Sequence, residues 1–234
     1  MNFDDVMKKI QELGTDQNKK IYLNHGADLE LFGVSVANLK KIAKKLKNSH
    51  DIGMKLLYSK NADAIYLSQF VVDPTLLTMT DYENILQSTN YYMIIESTIA
   101  PLAARNPEIA FQCLYKWIDS KNHRYRQCAY FLLSIILGSY DNQLIDMDFI
   151  SKRLIYVEKN IQKEENRVRY AMNNFVMAVG ISLPLFTQTA IDVSMNAGEV
   201  FVDMGKTSCN VPVAHTYIKH AESKNKIGIK RKLK

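Results

Sequence analysis

The sequence predicts an all-α fold in which short helices stack as antiparallel pairs. Three observations lead to this prediction. Apolar residues recur at helical spacing along nearly the whole chain, alternating strand patterns are scarce, and the breaks between helical segments are short. The 234 residues are 47% hydrophobic and 23% charged, which is a globular composition and excludes global disorder.

The apolar periodicity places the helices in chain order. They cover residues 3–13, 16–25, 35–47, 50–59, 62–72, 80–88, 91–104, 107–119, 122–137, 148–163, 166–180, 184–197 and 211–223. Ser35 is a predicted N-cap, and Thr80 with Glu83 has the spacing of a capping box. Pro107 stands at a first helical position, and Asn166 opens the segment after an acidic run.

Consecutive helices form pairs at an irregular period of roughly 35–45 residues, which is typical of HEAT-type repeats. We therefore predict a HEAT-like α-α superhelix over residues 1–218, followed by the end of a capping helix and a basic tail over 219–234. A compact helical bundle is the alternative. In a superhelix, one helix of each pair lines a concave groove, where we expect the functional residues.

The excess positive charge lies at the C-terminus. Residues 1–218 hold 23 basic and 23 acidic residues, whereas 219–234 hold seven basic residues and only Glu222, which gives the net charge of +6. This asymmetry indicates either that Lys230, Arg231 and Lys232 contact an anionic partner or that the tail is merely solvated. Because the sequence has neither a long apolar run nor a signal peptide, we expect a soluble, cytoplasmic protein.

The three cysteines show no metal-ligand or disulfide pattern. Cys113, Cys128 and Cys209 are an odd number without paired spacing, so we expect reduced thiols, no metal and no cofactor.

One predicted helix presents a lysine face opposite its apolar residues. The face consists of Lys40, Lys41, Lys44, Lys45 and Lys47. Unopposed charges in one arc suit a phosphate backbone. A solvated amphipathic helix is the alternative.

A second basic set falls on two later helices. Its members are Arg124, Arg126, Arg167, Arg169 and Asn173. The planar guanidinium makes bidentate phosphate contacts. The alternative pairs these arginines with Glu158, Glu164 and Glu165, and it is slightly favoured for Arg167, which directly follows the acidic run. With Lys40 and Lys44, we expect Arg126 and Arg169 to make the groove electropositive.

A single carboxylate stands out in the segment NYYMIIESTIAPLAAR, which starts at Asn90. Glu96 lies one turn after Tyr92 and therefore on the same face of an α-helix, in an otherwise uncharged run. Such a carboxylate either stabilises positive charge in a reaction or serves as a structural ion-pair partner, and the structural role is favoured. Most aromatic residues, Trp117 among them, are expected in the core.

Most of the chain resembles the bacterial DNA alkylation repair proteins of the AlkD-like family, which are HEAT-like helical proteins. The resemblance rests on GVSVANLKKIAKKLK from Gly33, NPEIAFQCLYKWIDS from Asn106, NRVRYAMNNFVMAVG from Asn166, VDMGKTSCNVPVA from Val202 and IGIKRK from Ile227. It implies a groove that cradles duplex DNA, and we expect a monomer. In catalytic members it also implies metal-independent hydrolysis of the glycosidic bond of cationic alkylated purines.

The resemblance assigns roles to individual residues. The catalytic aspartate of the family falls on Glu96, and its nearby tryptophan falls on Tyr92, with Tyr91 beside it. An arginine of the family falls on Gln127, next to Arg126, and a later tryptophan falls near Asn174. These departures favour DNA binding over glycosylase activity, since a misplacement of about 1 Å can lower a rate about a hundredfold. A non-catalytic adaptor for nucleic acid or protein is the competing hypothesis.

Overall fold

The computed structural model describes residues 1–46 and 49–233. Lys47, which belongs to the predicted lysine face, lies outside the described residues. Over these ranges the regular structure is helical, and β pairing is confined to two isolated bridges, Gly14 with Val34 and Glu30 with Asn61. The all-α prediction is confirmed.

The chain forms two compact units. Unit 1 consists of Met1–Ile109 with Met204–Ser208, and unit 2 consists of Ala110–Asp203 with the chain from Cys209 onward. The prediction of a single superhelix over 1–218 stays a prediction, and each unit is described by itself.

Unit 1 contains the first eight helices. They are α1 (Phe3–Leu13), α2 (Asp16–Asn24), α3 (Val36–Ala43), α4 (His50–Leu57), α5 (Ala62–Ser68), α6 (Met79–Ser88), α7 (Tyr92–Ile94) and α8 (Ala100–Ala103). The fully buried side chains of Val6, Ile10 and Leu56 meet Leu39 and Ile42 in one apolar cluster. The amphipathic period of α1, α3 and α4 thus supplies the core of this unit.

The helix starts follow the capping chemistry, with one correction. Ser35 caps α3, because its Oγ accepts a hydrogen bond from the amide of Asn38. The predicted capping box of Thr80 and Glu83 is wrong: α6 begins one residue earlier, and its box is formed by Thr78 and Asp81. An aspartate three residues after the cap reaches back to the cap amide just as a glutamate does.

A buried carboxylate organises the loop before α3. Asp63 accepts hydrogen bonds from the amides of Phe32, Gly33 and Val34 at 2.7, 3.0 and 3.0 Å. Burial raises the pKa of Asp63, although these backbone hydrogen bonds oppose the shift. Gly33 has a φ of +81°, and a Cβ there would meet the backbone of α2, so the turn requires glycine.

The segment predicted as one helix over 91–104 is interrupted. Between α7 and α8 the residues Ile95–Ile99 form a π-helical turn, in which the amide of Ala100 bonds the carbonyl of Ile95. Pro101 explains the interruption, because it has no N–H to donate and its ring crowds the preceding turn. The π turn contains Glu96.

Unit 2 contains most of α9 and the five helices that follow. The helices are α9 (Pro107–Trp117), α10 (His123–Ser139), α11 (Met147–Asn160), α12 (Asn166–Ser182), α13 (Thr187–Ala197) and α14 (Ala214–Ser223). The two longest, α10 and α12, pack along each other and bury Tyr130 against Phe175, with the ring centroids 5.7 Å apart. Trp117 is fully buried, as predicted.

The C-terminal segment packs on the ends of these helices. The amides of Gly228 and Arg231 donate to the carbonyls of Ile181 and Gly138, both at 2.8 Å. Before this segment, α14 packs closely on α12: a Cβ on Gly180 of α12 would lie 2.5 Å from Cδ1 of Ile218 on α14. The part of the tail that the structure describes is therefore joined to the helices.

No single helix in the described ranges is long and apolar enough to cross a membrane. Asn166–Ser182 and Pro184–Ala197 meet the length and composition criteria only as a pair, bent by 115°.

Candidate nucleic-acid interface

The lysine face lies on α3 and the turn after it. Lys40, Lys41, Lys44 and Lys45 are all exposed, whereas Leu39 lies buried on the opposite side. Helix α3 ends at Ala43, so Lys44 and Lys45 stand at its C-terminus, where the helix dipole favours cations. None of the four forms an ion pair with another described residue, which leaves their charges available to a partner.

An aromatic ring flanks this face. The ammonium of Lys40 lies 5.6 Å from the ring centroid of Phe70, which is itself partly exposed. A cation above an aromatic ring is held by the ring quadrupole. The lysine face thus combines charge with a flat apolar surface.

The two tyrosines before the π turn have different environments. Tyr91 is buried, burial raises its pKa, and its ring meets Tyr92 edge-on at 5.6 Å. Tyr92 is half-buried, and its hydroxyl lies 3.0 Å from His25 Nδ1. Asp28 fixes the chain beside them by accepting the amide of Asn90 at 2.6 Å. The predicted contact of Tyr91 with DNA is not supported, because the ring serves to pack Tyr92.

Glu96 lies inside unit 1, with only 6% of its surface exposed. The expectation that it shares one α-helical face with Tyr92 needs correction, because the π turn starts between them at Ile95 and changes the residue spacing. The π turn therefore holds a carboxylate in an apolar helix at low exposure. Single π-helical turns of this kind occur frequently at functional sites.

The arginines of unit 2 divide into structural and accessible groups. Arg126 bridges Glu164 at 2.8 Å and Glu165, and its Nη1 donates to the carbonyl of Ser120 at 2.6 Å. The two glutamates neutralise the charge of Arg126, so its expected contribution to an electropositive groove is not supported. Hydrogen bonds and the charge of Arg126 hold the pKa of Glu165 below its usual value, although burial opposes them.

Arg167 belongs to a cation–aromatic stack. Its guanidinium carbon lies 4.4 Å from the ring centroid of Tyr170, and that ring stacks on Phe131 at 6.1 Å with an interplanar angle of 27°. All three side chains are half-buried, as is Arg124 on the same helix as Phe131. We call Arg167, Tyr170 and Phe131 the α10–α12 stack.

The remaining predicted residues of α10 and α12 differ in exposure. Gln127 and Asn173 are buried, with 1% and 4% of their surfaces exposed, whereas Asn174 is half-buried. Asn173 Nδ2 donates to the carbonyl of Pro212 at 2.8 Å. Arg169 is half-buried, and its Nε is enclosed without a hydrogen-bond partner among the described residues. The Nε of Arg126 is enclosed in the same way, although the other nitrogens of that side chain are hydrogen-bonded.

The basic tail is not uniform. Lys230 is half-buried, and its amine donates to the carbonyl of Leu137 at 2.6 Å, near the C-terminus of α10. Burial lowers the pKa of Lys230. The expected phosphate contact is therefore not supported for Lys230, which caps a helix end, whereas Arg231 and Lys232 are exposed.

The cysteines are free, as predicted: Cys113 and Cys128 are buried and Cys209 is exposed. His215 faces Ser194 Oγ at 3.2 Å through Nδ1. Over the described ranges no cluster of three or more His, Cys, Asp or Glu side chains has the arrangement of a metal site.

Sequence reasoning missed three partners of the predicted residues. His25 is 67 positions from Tyr92, and no periodic pattern links the two. Phe70 lies in the turn after α5, 30 positions after Lys40. Phe131 could have been found, because it follows Arg124 by seven residues and so falls on the same face of α10.

Comparisons with known proteins agree with the helical fold. Residues 6–201 match the family model described as DNA alkylation repair enzyme. An uncharacterized protein of Listeria innocua is 30% identical over 96% of this chain and 99% of its own length. One from Listeria monocytogenes is 28% identical over 97% of this chain and 100% of its own length.

A solved structure matches with a TM-score of 0.89 and 28% identity, covering 99% of this chain and 98% of the other. It is described as belonging to a new family of proteins related to the HEAT-like repeat DNA glycosylases, with affinity for branched DNA structures. The HEAT-like prediction is thereby confirmed.

Proposed function

Because this chain belongs to the DNA alkylation repair enzyme family, we propose that it binds DNA and prefers branched DNA to a linear duplex. The lysine face carries this proposal, since its four exposed cations have no ion-pair partner among the described residues. The solved relative with affinity for branched DNA supports the preference for branches.

The two surfaces suit different parts of a branched substrate. Lysines on the lysine face neutralise phosphates and release the counterions that surround DNA, which gives affinity without sequence preference. The α10–α12 stack offers half-exposed aromatic rings beneath a guanidinium. Bases next to a branch point are less completely stacked than in a duplex, so aromatic surfaces can stack on them.

Fluorescence anisotropy with labelled DNA tests the proposal. A four-way junction and a linear duplex of equal base composition are titrated with the wild-type protein at fixed salt. We expect tighter binding to the junction. Equal affinity for both substrates would contradict the preference for branches, and no binding to either at low salt would contradict the function.

A matched pair of variants locates the interface. Lys41→Gln with Lys44→Gln removes two exposed, unpaired charges and is expected to weaken binding to both substrates. The control is Lys152→Gln with Lys159→Gln, which removes the same charge from exposed positions of α11, where Lys152 is paired with Asp148. Equal loss in the two double variants would show that net charge, and not the lysine face, determines affinity.

Base excision is a second candidate, favoured by the position of Glu96 in the π turn. A carboxylate held at 6% exposure can stabilise the positive charge that develops on a sugar as a cationic base departs. Release of 7-methylguanine from methylated duplex DNA measures this activity. Release that Glu96→Gln abolishes would support the candidate, whereas release equal to background, or unchanged in the variant, would remove it.

A further inference from the structure

Unit 2 contains a cavity that the surfaces described above do not use. Its volume is about 270 Å³, and it is lined by residues of α12, α13 and the start of α14 and by the segments 198–202 and 209–213. This volume is close to the lower end of the roughly 300–1,000 Å³ typical of small-molecule sites. The cavity therefore suits one ring system and not a folded segment of another protein.

A buried amide forms part of the cavity wall. Asn173 lines the cavity with 4% of its surface exposed. Its Nδ2 donates to the carbonyl of Pro212, and because a carbonyl only accepts, this bond fixes which end of the amide faces Pro212. Asn173 Oδ1 accepts no hydrogen bond from any described residue. The wall thus offers an oriented acceptor to a ligand that carries an N–H donor.

An exposed aromatic ring stands at the same cavity. Phe201 is 71% exposed, whereas its neighbour Val202 is 4% exposed, so the chain buries one apolar side chain here and presents the other to solvent. Exposed aromatic rings provide faces on which nucleobases stack. Phe201 therefore gives the cavity a stacking surface.

The charge of the lining excludes a phosphate. Among the described residues that line the cavity, Glu199 is the only charged one, and no lysine, arginine or histidine contributes. A negative carboxylate repels anions and favours N–H donors. The occupant that fits is a neutral, planar heterocycle with at least one N–H donor.

We propose that this cavity holds an unpaired nucleobase of bound DNA, stacked on Phe201 and donating a hydrogen bond to Asn173 Oδ1. The proposal rests on the proposed DNA binding. Helix α12 connects DNA binding to the cavity, because Arg169 lies one turn before Asn173 on the same face of this helix. The buried Nε of Arg169 lacks a partner among the described residues. A phosphate at Arg169 would deliver the adjacent base toward the cavity.

The first experiment tests stacking. Three-way junctions are prepared with a single unpaired adenosine at the branch, or with an abasic residue in its place. Phe201→Ala is expected to weaken binding of the adenosine junction about 5- to 150-fold, the range of one base–aromatic stack, and to leave the abasic junction unchanged. The control is Leu185→Ala, which truncates an apolar side chain that is 79% exposed and outside the cavity.

The second experiment tests the hydrogen bond. The 2′-deoxyriboside of purine lacks only the 6-amino group of deoxyadenosine, so the wild-type protein is expected to bind the adenosine junction about 3- to 10-fold more tightly than the purine junction. Asn173→Leu is expected to abolish this preference while retaining affinity for the purine junction. Because Asn173 is buried, circular dichroism first establishes that the variant is folded. The experiment with Phe201→Ala does not depend on whether Asn173→Leu folds.

The outcomes separate this inference from the proposed function. No binding to any junction would overturn both. Binding that Phe201→Ala weakens equally on the adenosine and abasic junctions, or leaves unchanged on both, would overturn the base site alone. Binding of free deoxyadenosine as tight as that of the junction would also overturn it, because the cavity would then be a nucleoside site independent of DNA.

Discussion

Replacing Arg126 tests whether its charge stabilises unit 2 or serves DNA. Arg126→Met keeps most of the aliphatic stem and removes the guanidinium that bridges Glu164 and Glu165. The side chains of Arg126 and Glu164 are 13% and 10% exposed, so the variant leaves a nearly buried carboxylate without its cation. Glu165 is 55% exposed and adds little, because solvent screens it.

The expected loss in the free energy of unfolding is about 3 kcal/mol, at the lower end of what removing one partner of a buried ion pair causes. For a protein of this length, that corresponds to a decrease of about 6–12 °C in Tm. Thermal unfolding followed by circular dichroism measures it. Adding Glu164→Gln to Arg126→Met is expected to restore part of the loss, because the uncompensated charge is then gone.

Junction binding of the folded Arg126→Met protein, measured well below its Tm, completes this test. We expect affinity close to that of the wild type. A Tm within about 2 °C of the wild type, together with clearly weaker junction binding, would refute the structural role of Arg126 and indicate that it contacts DNA.

Three further predictions follow from single contacts. Asp63→Asn is expected to lower the free energy of unfolding by about 2 kcal/mol in a urea titration, because one amide oxygen cannot accept all three amides that the carboxylate accepts. Lys230→Met is expected to lower Tm and leave DNA affinity nearly unchanged. Arg231→Gln with Lys232→Gln is expected to weaken DNA binding and leave Tm nearly unchanged. Weaker DNA binding with an unchanged Tm in Lys230→Met would refute the assignment of Lys230 as a cap. The pKa of Glu165 is lower in the folded protein than its ordinary value of 4.5, so its ion pair stabilises the fold above that pH and is lost as the pH falls through the folded-state pKa. Because Glu165 contributes little, the Tm difference between wild type and Arg126→Met should narrow only slightly in strong acid, and a difference that widens would contradict this.

Features set by neighbouring residues could be predicted from the sequence. Helix α1 has the predicted bounds, and Ser35 and Pro107 mark helix starts as expected, because periodicity, caps and proline act within a turn or two. The misplaced capping box at α6 was also a local error, since Asp81 substitutes for a glutamate. The π turn depends on how Pro101 is accommodated, which apolar spacing does not encode.

The candidate site depended more on distant contacts. The exposure of Lys40, Lys41, Lys44 and Lys45 agrees with the predicted lysine face, because the pattern spans only α3 and the turn after it. In contrast, Arg126 meets glutamates 38 and 39 positions away, and Asn173 meets Pro212 39 positions away. The sequence favoured the ion pair slightly for Arg167, whereas the structure pairs Arg126 with Glu164 and Glu165. Burial of Tyr91 and Gln127 likewise follows from packing between helices.

The salt dependence of junction binding tests the central claim most directly. The slope of the logarithm of the binding constant against the logarithm of salt concentration counts the phosphates that the protein neutralises, at about 0.9 for each contact on duplex arms. If the lysine face contacts the backbone, Lys41→Gln with Lys44→Gln should reduce the magnitude of this slope by about 1.8, and the Lys152→Gln and Lys159→Gln control should leave it unchanged. A slope that is the same in all three proteins would contradict the claim that this chain binds DNA through the lysine face.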